Sequence, residues 1–214
     1  MSLLLDVFLP TTCLLCKKLG QRICAVCQGE VGISPRIVRR GSMVGFAATD
    51  YSDTAKLILR SFKELGESEL ASVLGSAMLP LLGCFSKSPA LLVPIPSNAG
   101  SLRERGFNPA ELLAREIAIR SNGLRWANVL QRTRQTADQS KLDPQARRLN
   151  QRDSMRARAG SSEVMLIDDV ITTGSTLNEA RQVLEKAGYF VTGFITFAET
   201  EANRSMLSTQ ATVA

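Results

Sequence analysis

The chain reads as an α/β protein, a mostly parallel sheet flanked by helices, with a small four-cysteine module at its N-terminal end. Three observations predict this. Ala90–Ile95 and Val164–Ile167 are continuous apolar runs, the pattern of strands buried on both faces. Such strands alternate with segments of helical spacing, the order expected of parallel strands joined by crossover helices. And Cys13-x2-Cys16-x7-Cys24-x2-Cys27 places four of the five cysteines within fifteen residues.

In chain order, residues 1–42 form the cysteine-rich module. Two C-x2-C pairs supply four thiolates, the usual number for a tetrahedral structural zinc site. The seven-residue spacer is short, and Gly20 helps it turn. An iron–sulfur cluster or two disulfides could use the same four residues. Cys84 stands alone in an apolar context and reads as core. Arg36–Arg40 reads as a basic connector to a second unit, residues 43–200, with a polar tail at 201–214.

Met43–Tyr51 suggests a strand. Ala55–Leu65 looks helical, with Lys56, Arg60 and Lys63 toward one polar side, and Glu67–Leu82 continues as helix to a stop near Gly83. After Ala90–Ile95 comes a loop, Pro96–Phe107, and then a helix start: Asn108 as N-cap, Pro109 at N1 and Glu111 at N3. Ala127–Gln131 is a short strand. Arg132–Arg158 is polar and carries seven Arg and one Lys against three Asp, which accounts for most of the formal charge of +6. Tyr189–Ala198 closes the sheet.

The segment from Val164 to Thr176 is the most informative. Its strand ends in Asp168 and Asp169, which would project from the carboxyl end of the sheet, where ligands of open α/β sheets sit. Thr172, Thr173, Gly174, Ser175 and Thr176 follow, and Thr176 with Glu179 has the N-cap and N3 spacing of a capping box. A helix N-terminus offers free amides and partial positive charge, so this loop suits a phosphate. The plainer alternative is a solvated Asp-Asp turn before an ordinary capped helix.

The net charge and a pI near 9.3 point to anionic partners, phosphorylated metabolites or nucleic acid. Met1–Pro10 is apolar, but Asp6 interrupts it and no basic residue precedes it, so it makes a poor signal peptide. No run approaches the length that spans a bilayer. The expectation is a cytoplasmic protein without a membrane partner.

Val164–Thr176 resembles the phosphoribosyl-pyrophosphate (PRPP) signature of the type I phosphoribosyltransferases. Joined to a four-cysteine module, it resembles the ComF/GntX family over nearly the whole chain. Three further segments are similar: Leu57-Ile58-Leu59-Arg60-Ser61-Phe62-Lys63; Val93-Pro94-Ile95-Pro96 with Arg103-Glu104-Arg105-Gly106-Phe107-Asn108; and Arg132-Thr133-x2-Thr136-x2-Gln139 followed by Arg147, Arg148 and Asn150. Pro109 and Met155 depart from the family pattern, where Gln and Phe are common.

The resemblance implies a type I phosphoribosyltransferase-like fold and transfer of a phosphoribosyl group from PRPP, with Mg²⁺, to an acceptor the sequence does not reveal. Asp168 and Asp169 would serve the ribose hydroxyls and the positive charge developing on the ring. Thr172–Thr176 would hold the 5′-phosphate, and Lys63, Ser97, Arg103 and Arg105 would contact pyrophosphate. Arg147 and Arg148 would sit on a lid that excludes water. The alternative is a non-catalytic PRPP sensor that docks single-stranded DNA or a competence helicase through its zinc module and basic surface. The family also implies links to DNA uptake and, in some members, gluconate utilisation. The Arg132–Arg158 segment contains no aromatic residue, which favours the lid over base stacking.

Overall fold

The computed structural model describes residues 11–31, 33–65, 68–86, 89–121, 123–133 and 154–200. Arg147 and Arg148 lie outside the described residues, as does the tail 201–214.

Among the described residues, the main sheet has six strands in the order β1-β2-β8-β7-β3-β4. These are β1 Arg36–Arg40, β2 Met43–Asp50, β3 Leu91–Pro94, β4 Arg125–Trp126, β7 Glu163–Ile171 and β8 Phe190–Glu199. Only the β1–β2 edge is antiparallel; the other four pairings are parallel. Two short strands, β5 Leu130–Arg132 and β6 Met155–Ala157, form a separate antiparallel pair. The helices are α1 Ala25–Glu30, α2 Asp53–Leu65, α3 Ser68–Met78, α4 Ala99–Arg105, α5 Pro109–Arg120 and α6 Ser175–Lys186. The α/β class read from the sequence is the fold.

Both faces of the sheet are covered, which explains the uninterrupted apolar run in β7. Side chains alternate along a strand, so Met165 and Ile167 join the core beneath α2, α3 and α5, with Ile58, Phe62, Leu74 and Leu113. Val164 and Leu166 join the other core, beneath α6, with Leu177, Ala180 and Leu184. Each of the buried Val, Leu, Ile, Met and Phe side chains among these contributes about 1.5–3 kcal/mol relative to an exposed one.

Several elements differ from expectation for identifiable reasons. The long helix expected over Glu67–Leu82 stops at Met78 and tightens into a 3-10 turn, Leu79–Cys84, because Pro80 cannot donate to the helical ladder. The loop expected at Pro96–Phe107 contains α4, whose Asn98 side chain accepts from the Ser101 amide 2.7 Å away and whose end is closed by Gly106 in the left-handed region. The strand expected at Ala127–Gln131 forms only at its end, as β5 from Leu130, while β4 lies just before it at Arg125–Trp126. Arg36–Arg40 is an edge strand of the main sheet, pairing in full with Met43–Ala47, where a connector was expected. Cys84 is exposed, contrary to the core assignment.

The cysteine module packs onto the same body. Cys13, Ile23, Cys27 and Val31 share one core with the apolar faces of α2 and α3. The Arg22 amide donates to Glu69 of α3 at 3.3 Å.

Candidate functional site

The chain leaves β3 through α4 and α5 toward β4, and leaves β7 through α6 toward β8. Since β3 and β7 are parallel neighbours, their outgoing connections diverge to opposite sides. A crevice must open at the carboxyl ends of that pair, the switch point where open α/β sheets bind ligands. β3 stops at Pro94, paired with Ile167, and the Ile95 amide closes the ladder on the Ile167 carbonyl at 2.9 Å. β7 continues alone against β8 as far as Ile171.

Asp168 and Asp169 therefore lie within a strand, past the end of its β3 neighbour, and not beyond the strand end as the sequence suggested. Strand alternation sends Asp169 toward α2, where the Lys63 ammonium meets its carboxylate at 2.8 Å. Asp168 lies on the α6 side, its Oδ1 accepting the Asp169 amide at 2.9 Å. Burial in the crevice floor, then the Asp169 carboxylate, push Asp168 up to about 8; the Asp169 amide, Lys63 and Arg132 pull the other way without prevailing.

The crevice encloses about 190 Å³. Of the residues singled out from the sequence, Lys63, Ser97, Arg105, Asp168, Asp169 and Thr176 line it. Arg103 points from an exposed position on α4 and is not part of the lining. Thr172, Thr173, Gly174 and Ser175 form the turn from β7 into α6, beside the crevice. Thr172 and Thr173 are exposed, and the Thr173 and Ser175 hydroxyls lie 3.1 Å apart. The helix begins two residues earlier than the capping-box spacing of Thr176 and Glu179 implies: the N-cap is Gly174, at φ +76°, with no side-chain cap. Glu179 instead accepts from the amide and hydroxyl of Ser154, at 2.7 and 3.0 Å.

Three residues of the site have a role there that the sequence did not assign to them. Asn108 does more than cap α5: its Oδ1 accepts from the Ala110 amide at 3.2 Å and from the Ser97 hydroxyl at 3.0 Å, while its Nδ2 donates to the Ile95 carbonyl at 3.0 Å. Arg132 enters the crevice from β5, donating to the Pro96 carbonyl at 2.9 Å and to the Ser154 hydroxyl at 3.2 Å. Together they fix the Ile95–Ser97 loop that forms the wall opposite Asp168. Arg40 lies behind the Thr172–Ser175 turn, where its Nε donates to the Thr172 carbonyl at 2.8 Å. Arg132 was visible as an arginine just after an apolar strand; nothing local marked Arg40.

The second site is the cysteine cluster. The sulfurs of Cys13, Cys16, Cys24 and Cys27 all lie within 4.8 Å of one another, with Cys16 and Cys24 at 3.6 Å, and none is in a disulfide. A zinc ion with Zn–S bonds of about 2.3 Å would hold its four sulfurs about 3.8 Å apart, so the spacing fits. The chemistry fits as well. Burial opposes ionisation of Cys13, but amides of Cys16, Cys24 and Leu15 outweigh it and bring the thiol down to about 6. Cys27 is raised, by burial and then by its sulfur neighbours. Four crowded thiols resist joint ionisation unless a cation balances them. The cluster can hold one metal ion such as zinc.

The family model for the phosphoribosyl transferase domain matches residues 101–213. The chain belongs to that family. Among relatives of this phosphoribosyltransferase-family chain, competence protein F of Haemophilus influenzae is 34% identical over 107 residues, covering 48% of this chain and 47% of that protein. The DNA utilization protein YhgH of Salmonella typhimurium is 29% identical over 150 residues, 66% of each. The chain thus spans about half to two thirds of the length of these relatives. Among solved structures, adenine phosphoribosyltransferase of Thermoanaerobacter pseudethanolicus superposes with a TM-score of 0.45 at 12% identity, covering 86% of this chain and 94% of that one. The family match, these relatives and the four-cysteine cluster support a ComF-type phosphoribosyltransferase-like protein. Among the described residues, no helix is long and apolar enough to cross a membrane.

Proposed function

We propose that this chain binds PRPP with Mg²⁺ in the crevice between β3 and β7 and transfers its phosphoribosyl group to an acceptor yet to be found. The observation that carries the proposal is the juxtaposition of the Asp168–Asp169 pair, the Thr172–Thr176 turn at a helix N-terminus and the cations Lys63, Arg105 and Arg132 around one crevice. A molecule with a ribose diol between a terminal phosphate and a pyrophosphate carries the complementary groups in the complementary order.

In this reading Asp168 and Asp169 accept hydrogen bonds from the ribose hydroxyls. Asp169, and Asp168 once the bound Mg²⁺ and substrate draw off its proton, also lie where their charge can stabilise an oxocarbenium-like ring as its bond to pyrophosphate breaks. The amides and hydroxyls of Thr172–Thr176 hold the 5′-phosphate. Ser97 and Arg105 approach the pyrophosphate from the opposite wall, with Lys63 available once it leaves Asp169. Magnesium suits such a site because it binds mainly through substrate oxygens and water, needing few protein ligands, and it neutralises the leaving group. Zinc in the cysteine cluster is structural.

The test is calorimetric titration of PRPP with and without Mg²⁺ on the wild type and on Asp168→Asn/Asp169→Asn. Mg²⁺-dependent binding that disappears in the double variant is the expected result; a folded, metal-loaded wild type that ignores PRPP would falsify the reading. A second reading draws on the competence and DNA-utilization names of the relatives. There PRPP binding regulates a non-catalytic adaptor for single-stranded DNA or a helicase. Release of pyrophosphate with any acceptor excludes it, whereas PRPP binding without turnover favours it.

A further inference from the structure

Arg40 and Glu199 form an ion pair at 2.7 Å, and each is only 6% exposed. A buried pair of this kind does not repay its desolvation through attraction alone, so its presence calls for a geometric reason. The other hydrogen bonds of Arg40 supply one. Its Nε donates to the Thr172 carbonyl at 2.8 Å, and a second guanidinium nitrogen donates to the Arg39 carbonyl at 2.9 Å. One planar fork thus joins the end of β1, the end of β8 and the first residue after β7.

The aliphatic stem of the same side chain backs Gly174. A Cβ added there would stand 2.7 Å from both Cβ and Cγ of Arg40. The turn following β1 leans on α6 beside it, through the hydrogen bond of Arg181 to Ser42 and the approach of the Asn178 amide group to Gly41. The Thr172–Ser175 turn is thereby fixed from behind, on the side away from the crevice. Lysine could carry the charge but not the directional fork.

We propose that Arg40, clamped by Glu199, is a positioning residue that sets the Thr172–Thr176 turn for a sugar 5′-phosphate. This deepens the PRPP reading and rests on it. A role confined to this turn leaves the opposite wall, with Ser97 and Arg105, untouched, so the proposal makes a selective demand on ligand affinity.

The experiment is calorimetry of wild type, Arg40→Lys and Glu199→Gln with three probes: PRPP, ribose 5-phosphate and pyrophosphate, each with Mg²⁺. Arg40→Lys should weaken PRPP and ribose 5-phosphate about tenfold or more while changing pyrophosphate affinity by less than about twofold. Should the lysine variant fail to fold, the comparison is read on Glu199→Gln, which keeps an acceptor for the guanidinium but removes the balancing charge; a selective loss in the same direction is expected. Equal loss for all three probes, or no loss, overturns the positioning role while leaving the PRPP reading intact. A wild type that binds pyrophosphate but neither sugar phosphate overturns the anion-turn reading, and this proposal with it.

Discussion

The Lys63 ammonium stands 2.8 Å from the Asp169 carboxylate, tying the last turn of α2 to β7 across the crevice floor. Lys63 is 30% and Asp169 11% exposed, so the carboxylate has little water to turn to if the lysine is lost. Lys63→Met should cost about 1–3 kcal/mol of unfolding free energy, chiefly through the unpaired carboxylate. Urea denaturation measures it. Restoration by Asp169→Asn in the Lys63→Met background would confirm that source, and an additive further loss would rule it out.

Asp168 gives the ligand-free fold an unusual dependence on pH. Its folded value of about 8 lies above the ordinary 3.8, so between those values the folded protein holds a proton that the unfolded chain releases. The contribution of this group to stability therefore falls as pH rises from about 4 to about 8 and is level above that. Asp168→Asn should remove this slope and leave the variant more stable than wild type above pH 8, by at least about 1 kcal/mol. Thermal unfolding from pH 5 to 9 reads the difference; parallel profiles for the two proteins would refute it.

Metal removal should reach well beyond the module. Purified protein is expected to carry about one zinc per chain, and Cys13→Ser/Cys16→Ser to carry none. Since Cys13 and Cys27 share a core with Phe62 and Leu74, chelation should lower the melting temperature of the whole protein in a single transition. Elemental analysis with calorimetric scanning tests both parts, and an unchanged melting temperature after complete metal loss would remove the structural role.

Asn108 joins three groups, the Ala110 amide, the Ser97 hydroxyl and the Ile95 carbonyl. Asn108→Ala removes the cap of α5 and two hydrogen bonds holding the Ile95–Ser97 wall, at an expected cost of about 1–2 kcal/mol. Pyrophosphate affinity should fall with stability. Asn108→Asp keeps the cap and the Ser97 bond but loses the donor to Ile95, and should fall between the two in both measurements.

The sequence reveals most of what local chemistry encodes. The apolar runs of β3 and β7, the Asn108-Pro109 helix start and the paired cysteines each declare themselves within a few residues. Where the reading went astray, partners distant in sequence decided. Asp168 and Asp169 stay in strand geometry because β8 continues to pair with them, and β8 begins some twenty residues later. Glu179 leaves the capping box for Ser154, which a neighbouring strand brings over. Arg40 looks like one of several linker arginines until its partner Glu199 arrives from the far end of the chain. Arg103 and Arg105 are indistinguishable in sequence, and only the rotation of α4 admits one and turns the other to solvent.

The shared core beneath α2 and α3 also bears on how this chain can be divided. Composition suggests a cut near residue 42, yet β1 lies on the sheet and Ile23 and Val31 belong to the same buried core as Ile58 and Leu74. A protein trimmed at that point would present a raw apolar surface to water and forfeit the strand that carries Arg40. The cysteine module is thus no detachable accessory that shuffling could move between proteins at will. A graft onto another sheet would have to bring along the helix faces that seat it.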